Sequence, residues 1–205
     1  MKKTSTDKSI LFVTYIMVGL FVGLMGYFGY FLQVQSETVI NNSYNARLDS
    51  FSDRIIRGEI LSNDGTVLAK TNVAEDGTEV REYPYGSLFA HVVGYSDQGK
   101  TGLESLANFY LLSSHMNLVE QAVNELSDVK NLGDQVVTTL DVGLQQAASD
   151  ALGDRRGAVV VMEPDTGKIL AMVSKPGFDP NQLSSQWESL ISGDNTEAQL
   201  LNRAA

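Results

Sequence analysis

The chain has 205 residues, enough for one or two domains, and a formal net charge of −10. That balance excludes a nucleic-acid binder, which needs a basic footprint for the phosphates. The absence of cysteine excludes a disulfide framework and a thiolate metal site.

Residues 10–32 (ILFVTYIMVGLFVGLMGYFGYFL) carry no charge. As a helix they span roughly 35 Å, more than the ~30 Å hydrocarbon core of a bilayer. Lys2, Lys3 and Lys8 precede the run against one acid, Asp7. By the positive-inside rule, residues 1–9 form a cytoplasmic tail and everything after Leu32 lies outside the cell membrane. A cleaved signal peptide is the rival reading. The run is longer than a usual signal-peptide core and no small-x-small cleavage site follows, so it reads as a single-pass signal-anchor. Tyr27, Phe28, Tyr30 and Phe31 would form an aromatic belt at the outer interface. Gly19, Gly23, Gly26 and Gly29 suit close approach of another membrane helix, and equally the ordinary abundance of glycine in spanning helices.

Residues 33–52 are polar and without period, and read as a stem. Beyond them, Ser62-Asn63-Asp64-Gly65 and Asp76-Gly77 punctuate short apolar runs. Asp-Gly supplies the positive φ values of tight hairpins, so the spacing predicts a small antiparallel meander. Thr101 with Glu104 three residues on has the pattern of a capping box. Leu103, Leu106, Ala107, Tyr110 and Leu111 follow at helical spacing, predicting a helix from Thr101. A second helix is predicted from about Ser114, with Leu118, Val119, Ala122, Val123 and Leu126 on one face. The pair would pack on the meander and close a core over residues 53–135.

Asn131-Leu132-Gly133-Asp134 reads as a turn. Residues 136–140 are β-branched and apolar, predicting a strand. Asp141 can cap a helix to about Leu152, with Leu144, Ala148, Ala151 and Leu152 inward. Residues 158–162 and 169–173 are two apolar runs about Glu163-Pro164-Asp165-Thr166-Gly167, a reversal with fixed and permissive φ. Both runs are continuous rather than alternating, which predicts strands covered on both faces. A lone hairpin of this kind leaves faces and edges open, so residues 136–205 are not expected to fold by themselves. His91 and His115 lie beside no carboxylate motif and read as ordinary surface or half-buried side chains.

Several of these strings together resemble class B penicillin-binding proteins. They are R-G-x-I with G-x-x-L-A in 57–69, G-x-T-G-L-E at 99–104, T-T-L-D-x-x-L-Q at 138–145, and G-A-V-V-V-M-E-P-x-T-G-x-I-L-A-M-V-S-x-P at 157–176. Asn202-Arg203-Ala204 matches the family's N-R-A segment. The resemblance implies an α+β chain: one N-terminal transmembrane helix, a mixed β/α pedestal over 53–135, and the first strands and helix of a β-lactamase-like transpeptidase domain over 136–205. In that family the nucleophile motif Ser-x-x-Lys follows N-R-A within about a dozen residues, then Ser-x-Asn and Lys-Thr-Gly. The implied catalytic serine therefore lies just past Ala205, and no catalytic, cofactor or metal residue falls within 1–205. The implied activity is serine-type D,D-transpeptidation of peptidoglycan stem peptides, with β-lactams acylating the same serine and no cofactor. The implied partners are the membrane and a SEDS-family glycan polymerase engaged through anchor and pedestal, and no nucleic acid. A single-pass extracytoplasmic scaffold without catalysis is the alternative. A membrane-anchored β-lactam sensor is a third, against which the single anchor counts.

Matching strings within the chain sit in the wrong contexts. Ser5-Thr6-Asp7-Lys8 precedes the membrane helix. Ser127-Asp128-Val129-Lys130 ends a predicted helix, where the dipole opposes an alkoxide. Ser43-Tyr44-Asn45 lies in the stem, and Lys100-Thr101-Gly102 opens a helix instead of lining a strand. All are read as accidental.

Overall fold

The computed structural model describes residues 5–35, 54–116, 123–124, 126–127, 129–192 and 196–205. Most of the predicted stem, Ser43 to Asn45, and Leu118, Val119 and Ala122 of the second predicted helix lie outside them. The described residues belong to two compact units, 1–40 and 41–205.

In the first unit, α1 (Ser5–Tyr30) continues as a wider turn over Phe31–Gln35. Residues Ile10–Gln35 are long and apolar enough to cross a membrane, and none of that stretch is buried within the protein. The hydroxyl of Thr14 donates to the Ile10 carbonyl at 2.9 Å, so this polar group is satisfied inside the helix. A Cβ placed on Gly19, Gly23, Gly26 or Gly29 would meet nothing within 4 Å.

The second unit is α+β. Its meander is as predicted: β2 (Ile60–Leu61), β3 (Val67–Val73) and β4 (Glu79–Glu82) lie antiparallel in the order β4-β3-β2. Gly65 and Gly77 take φ of +85° and +81° at the two turns, where a side chain would be strained. Asp64 accepts from the Ser62 hydroxyl and the Thr66 amide, and these bonds hold its carboxyl down at about 2. Two strands were not expected. Asn131–Leu132 (β5) is extended, not a turn, and pairs parallel with Ile55–Ile56 (β1). The strand expected over 136–140 shortens to Val136–Val137 (β6), parallel to β2. A backbone crossing fixes both pairings. Gly58 N–H donates to the Leu111 carbonyl at 2.9 Å and Gly133 N–H to the Ile56 carbonyl at 2.8 Å. A Cβ on Gly58 would lie 2.0 Å from the Asp134 carbonyl oxygen, so only glycine permits the approach.

The helix expected from Thr101 starts there but breaks into α3 (Gly102–Leu106) and α4 (Asn108–Leu111), after a short α2 (Ala90–Val93). Its inward face is rotated from the expected one. Glu104, Ala107, Asn108 and Leu111 are buried, whereas Leu106 and Tyr110 are exposed. No side-chain cap is made at Thr101, because Glu104 turns inward to two arginines rather than back to the helix start. Val123 and Leu126, expected on a packed face, are exposed.

α5 (Val142–Leu152) is capped by Asp141, whose carboxylate accepts from the Leu144 amide at 2.8 Å. It buries Gln145 and Ala148, while Leu144 and Ala151 face outward; burying an amide was invisible to an apolar count. β7 (Gly157–Met162) and β8 (Ile169–Lys175) form the expected hairpin. In this chain β7 alternates instead of being covered on both faces, with Val160 and Met162 exposed. β8 packs Ala171 and Val173 on Ala148 of α5. The main core joins Ile60, Leu68, Tyr83, Phe89, Val93 and Leu111 with Leu140, and Ile169 of β8 packs against it. Each fully buried Leu or Ile there contributes about 1.5–3 kcal/mol.

Candidate functional site

Two constellations stand out. The first is a buried ionic core under the meander. Glu104 on α3 is fully buried. Arg57 Nε donates to its Oε2 at 2.6 Å and Arg81 Nε to its Oε1 at 2.8 Å. The Tyr83 hydroxyl adds a longer bond to Oε1 at 3.3 Å. Arg57 spreads its other donors to the Glu104 carbonyl and Asn108 Oδ1, both at 2.6 Å. Arg81 Nη1 donates to the Gly58 carbonyl at 2.7 Å and to Thr71 Oγ1 at 3.0 Å. The forked guanidinium geometry thus ties β4, the β1–β2 link and α3 to one carboxylate. Burial first, and then the neighbouring Glu104 charge, push the Tyr83 phenol up to about 12.

The second constellation straps residues 196–205 onto β8. Ser174 is buried; its hydroxyl accepts from the Arg203 amide at 3.0 Å and donates to the Leu201 carbonyl at 3.3 Å. Using one hydroxyl as donor and acceptor pins the backbone on both sides of Asn202. Asn202 Oδ1 accepts from the Ala204 amide at 2.9 Å, a local turn typical of asparagine. Arg203 Nη2 donates to the Glu197 carbonyl at 2.7 Å. His91 Nε2 meets the Gln199 carbonyl at 2.8 Å while its ring packs edge-on against Phe178. A second core cluster, Tyr95, Phe178, Leu183 and Leu190, takes Leu200 against it.

His91 is therefore a buried tie, not a surface residue. Burial foremost holds its imidazole below the ordinary value of 6.5; the Arg203 charge adds to this, and the Gln199 carbonyl opposes it. The native state thus favours the neutral ring, and the unfolded state binds the proton more readily. Stability is full above pH 6.5 and is lost as pH falls below it. Melting temperature is expected to drop on acidification from pH 6.5 toward about 5, and the protection factors of the 199–205 amides, corrected for the intrinsic pH dependence of exchange, to fall. His91→Gln should flatten that fall; an unchanged acid slope in the variant would refute the assignment.

The motif-like strings are scattered. Lys130 pairs with Glu79 at 2.6 Å, and Ser127 sits in an exposed turn. Lys100-Thr101-Gly102 lies in a loop entering α3, where Thr101 presses on Gly94 and not on a strand of a cleft. Lys8 is exposed on α1. His115 is exposed beside the Asp134 carboxylate. Ser174, Gln145 and the Arg57–Glu104–Arg81 core were not foreseen. A signal for the last existed: arginine and glutamate at positions whose neighbours in strand and helix are buried.

The profile of the penicillin binding protein A dimerisation domain matches residues 57–136, and that of the penicillin binding protein transpeptidase domain matches residues 157–205. The peptidoglycan D,D-transpeptidase PbpA of Mycolicibacterium smegmatis is 37% identical over 175 residues, 77% of this chain and 34% of that protein. The peptidoglycan D,D-transpeptidase MrdA of Escherichia coli is 32% identical over 164 residues, 62% of this chain and 26% of that protein. Among solved structures, an imipenem acyl-enzyme complex of penicillin-binding protein A from M. tuberculosis superposes with a TM-score of 0.63 at 32% identity, covering 75% of this chain and 38% of that one. The chain spans about a quarter to a third of the length of these curated relatives. These likenesses define the fold as an α+β pedestal joined to the opening hairpin of a transpeptidase domain. The chain belongs to the class B penicillin-binding proteins.

Proposed function

We infer that this chain is the N-terminal part of a serine-type peptidoglycan D,D-transpeptidase that also binds β-lactams. The observation that carries the reading is the strapping of 196–205 onto β8 by Ser174 and His91. This segment holds the N-R-A string that, in the family, leads into the nucleophile motif. The serine beyond it would attack the penultimate D-alanine carbonyl of a stem peptide, forming an ester as the terminal D-alanine leaves with the proton. Backbone amides would hold the oxyanion, worth a few kcal/mol each. A second stem amine would then take the acyl group and restore the serine. Residues 1–205 supply the platform for this chemistry and none of its reacting groups.

The division into pedestal (53–135) and transpeptidase start (136–205) belongs to the same reading, as does the orientation of α1. The lysines before α1 support an N-terminus kept in the cytoplasm and a bulk outside. The exposed glycine stripe is compatible with a polytopic polymerase partner in the membrane. Labelling with a fluorescent penicillin tests the chemistry. A protein carrying this chain followed by the Ser-x-x-Lys segment is expected to take one covalent label, and residues 1–205 alone none. Covalent labelling of 1–205, or no label on the longer protein, would overturn the reading.

A further inference from the structure

Residues 196–205 belong to no helix or strand, so other elements set where they lie. A carbonyl oxygen only accepts, so His91 Nε2 on α2 carries the proton and donates to the Gln199 carbonyl at 2.8 Å. Ser174 on β8 holds the Leu201 carbonyl at 3.3 Å and the Arg203 amide at 3.0 Å. Leu200, between these ties, packs against the cluster that contains Phe178 and Leu183. The ties fall on main-chain atoms of alternate residues, 199, 201 and 203, so they fix the path of the chain as well as its attachment. Both polar side chains are more than nine-tenths buried, at 8% and 6% exposed. Apolar packing alone would hold this segment but let it slide. A buried hydroxyl that must donate to one residue and accept from another permits one register.

A reacting group is sensitive to such placement: a shift of about 1 Å can cost about 100-fold in rate. We propose that Ser174 and His91 are positioning residues for the serine that follows the N-R-A string, acting through the backbone of 199–203 and touching neither substrate nor the reacting atoms. The inference rests on the transpeptidase reading and deepens it, since it gives two side chains outside the reacting groups a part in the rate. The step in which bonds change should respond to them, and the binding that precedes it should not.

The test uses the protein carrying this chain and the Ser-x-x-Lys segment, with a fluorescent penicillin over a range of concentrations. The serine oxygen forms an ester with the lactam carbonyl while the ring C–N bond opens and the nitrogen takes the serine proton. Saturation of the labelling rate separates the acylation rate constant from the dissociation constant of the complex before it. Ser174→Ala should lower the rate constant about 10- to 100-fold and His91→Leu about tenfold, with the dissociation constant changed less than about twofold. Ser174→Thr keeps the hydroxyl and His91→Gln keeps a donor of similar reach, so both should restore most of the rate. A merely structural role gives another pattern. The fraction of protein that takes label falls while the rate constant of that fraction stays, as expected for Leu68→Val in the main core. If Ser174→Ala takes no label at all, Ser174→Cys, a weak donor and acceptor of similar size, decides by the same rate constant. Unchanged rate constants in the Ser174 and His91→Leu variants, an equal fall in Leu68→Val, or failure of both conservative variants to restore the rate would each overturn the proposal and leave the transpeptidase reading standing. No label on the parent protein would sink both.

Discussion

Glu104→Ala is expected to destabilise the 41–205 unit by about 3–5 kcal/mol, because it leaves two desolvated guanidiniums facing each other. A domain's whole stability is about 5–15 kcal/mol, so the variant sits near the edge of folding. For a unit of this size, about 1 kcal/mol corresponds to about 2–4 °C in melting temperature, giving a fall of about 6–20 °C. Glu104→Gln should fare little better. Its amide nitrogen would face an arginine donor, and the positive excess would remain. The cost should also be insensitive to salt, since both arginines are nearly buried and screening acts on exposed charges. The comparison is Glu82→Ala. Glu82 pairs with Lys70 at 3.3 Å on an open strand face, with both side chains more than a third exposed. Such a pair contributes less than about 1 kcal/mol. Urea midpoints of the two variants decide the matter: equal shifts would mean that the buried carboxylate does not hold the pedestal together.

The same residue shows where sequence reading reached and where it failed. The two Asp-Gly turns, the Asp141 cap and the β7–β8 hairpin were all legible, because each is decided by φ preference, a local hydrogen bond or a short apolar run. The helix start at Thr101 was legible too, but not its buried face. Local pattern assigns Glu104 to capping; tertiary charge overrides this when Arg57 and Arg81 arrive from 47 and 23 residues away. That rotation is what leaves Leu106 and Tyr110 outside. The parallel pairing of Asn131–Leu132 with Ile55–Ile56 was illegible for a related reason. Two-residue strands carry no period, and their partner is set by the Gly58–Gly133 crossing. For the strap around 196–205, the family resemblance pointed to the segment but not to its fastenings. Ser174 and His91 act through single polar atoms inside apolar surroundings, which composition and periodicity do not register.

Gln145 gives the other large effect. It is fully buried on α5, and its side-chain amide reaches two separate pieces of backbone. Nε2 donates to the Leu88 carbonyl at 2.8 Å and to the Met172 carbonyl at 2.9 Å, while Oε1 accepts from the Met172 amide at 2.8 Å. One side chain therefore fastens β8 to the turn before α2 and satisfies both backbone groups of Met172. Gln145→Leu keeps the volume but strands three buried backbone groups, each worth about 1–3 kcal/mol, so a total of about 3 kcal/mol or more is expected. Gln145→Glu retains the acceptor and loses both donors when ionised. Protonation restores one donor, and burial favours the protonated form, so its deficit relative to the parent chain should narrow as pH falls toward the ordinary carboxylate range and stay constant below it. Gln146, the next residue, bonds only to Asp150 on the exposed face, and Gln146→Ala should change stability by less than about 0.5 kcal/mol. Hydrogen exchange separates the fastening from a general loss of stability. In Gln145→Leu the Met172 amide should lose protection by more than the global change, while the Thr66 amide at the first turn, held by Ser62 and Asp64, tracks the global change alone. If the two amides shift together, Gln145 only fills space and β8 is fastened to the pedestal by apolar packing.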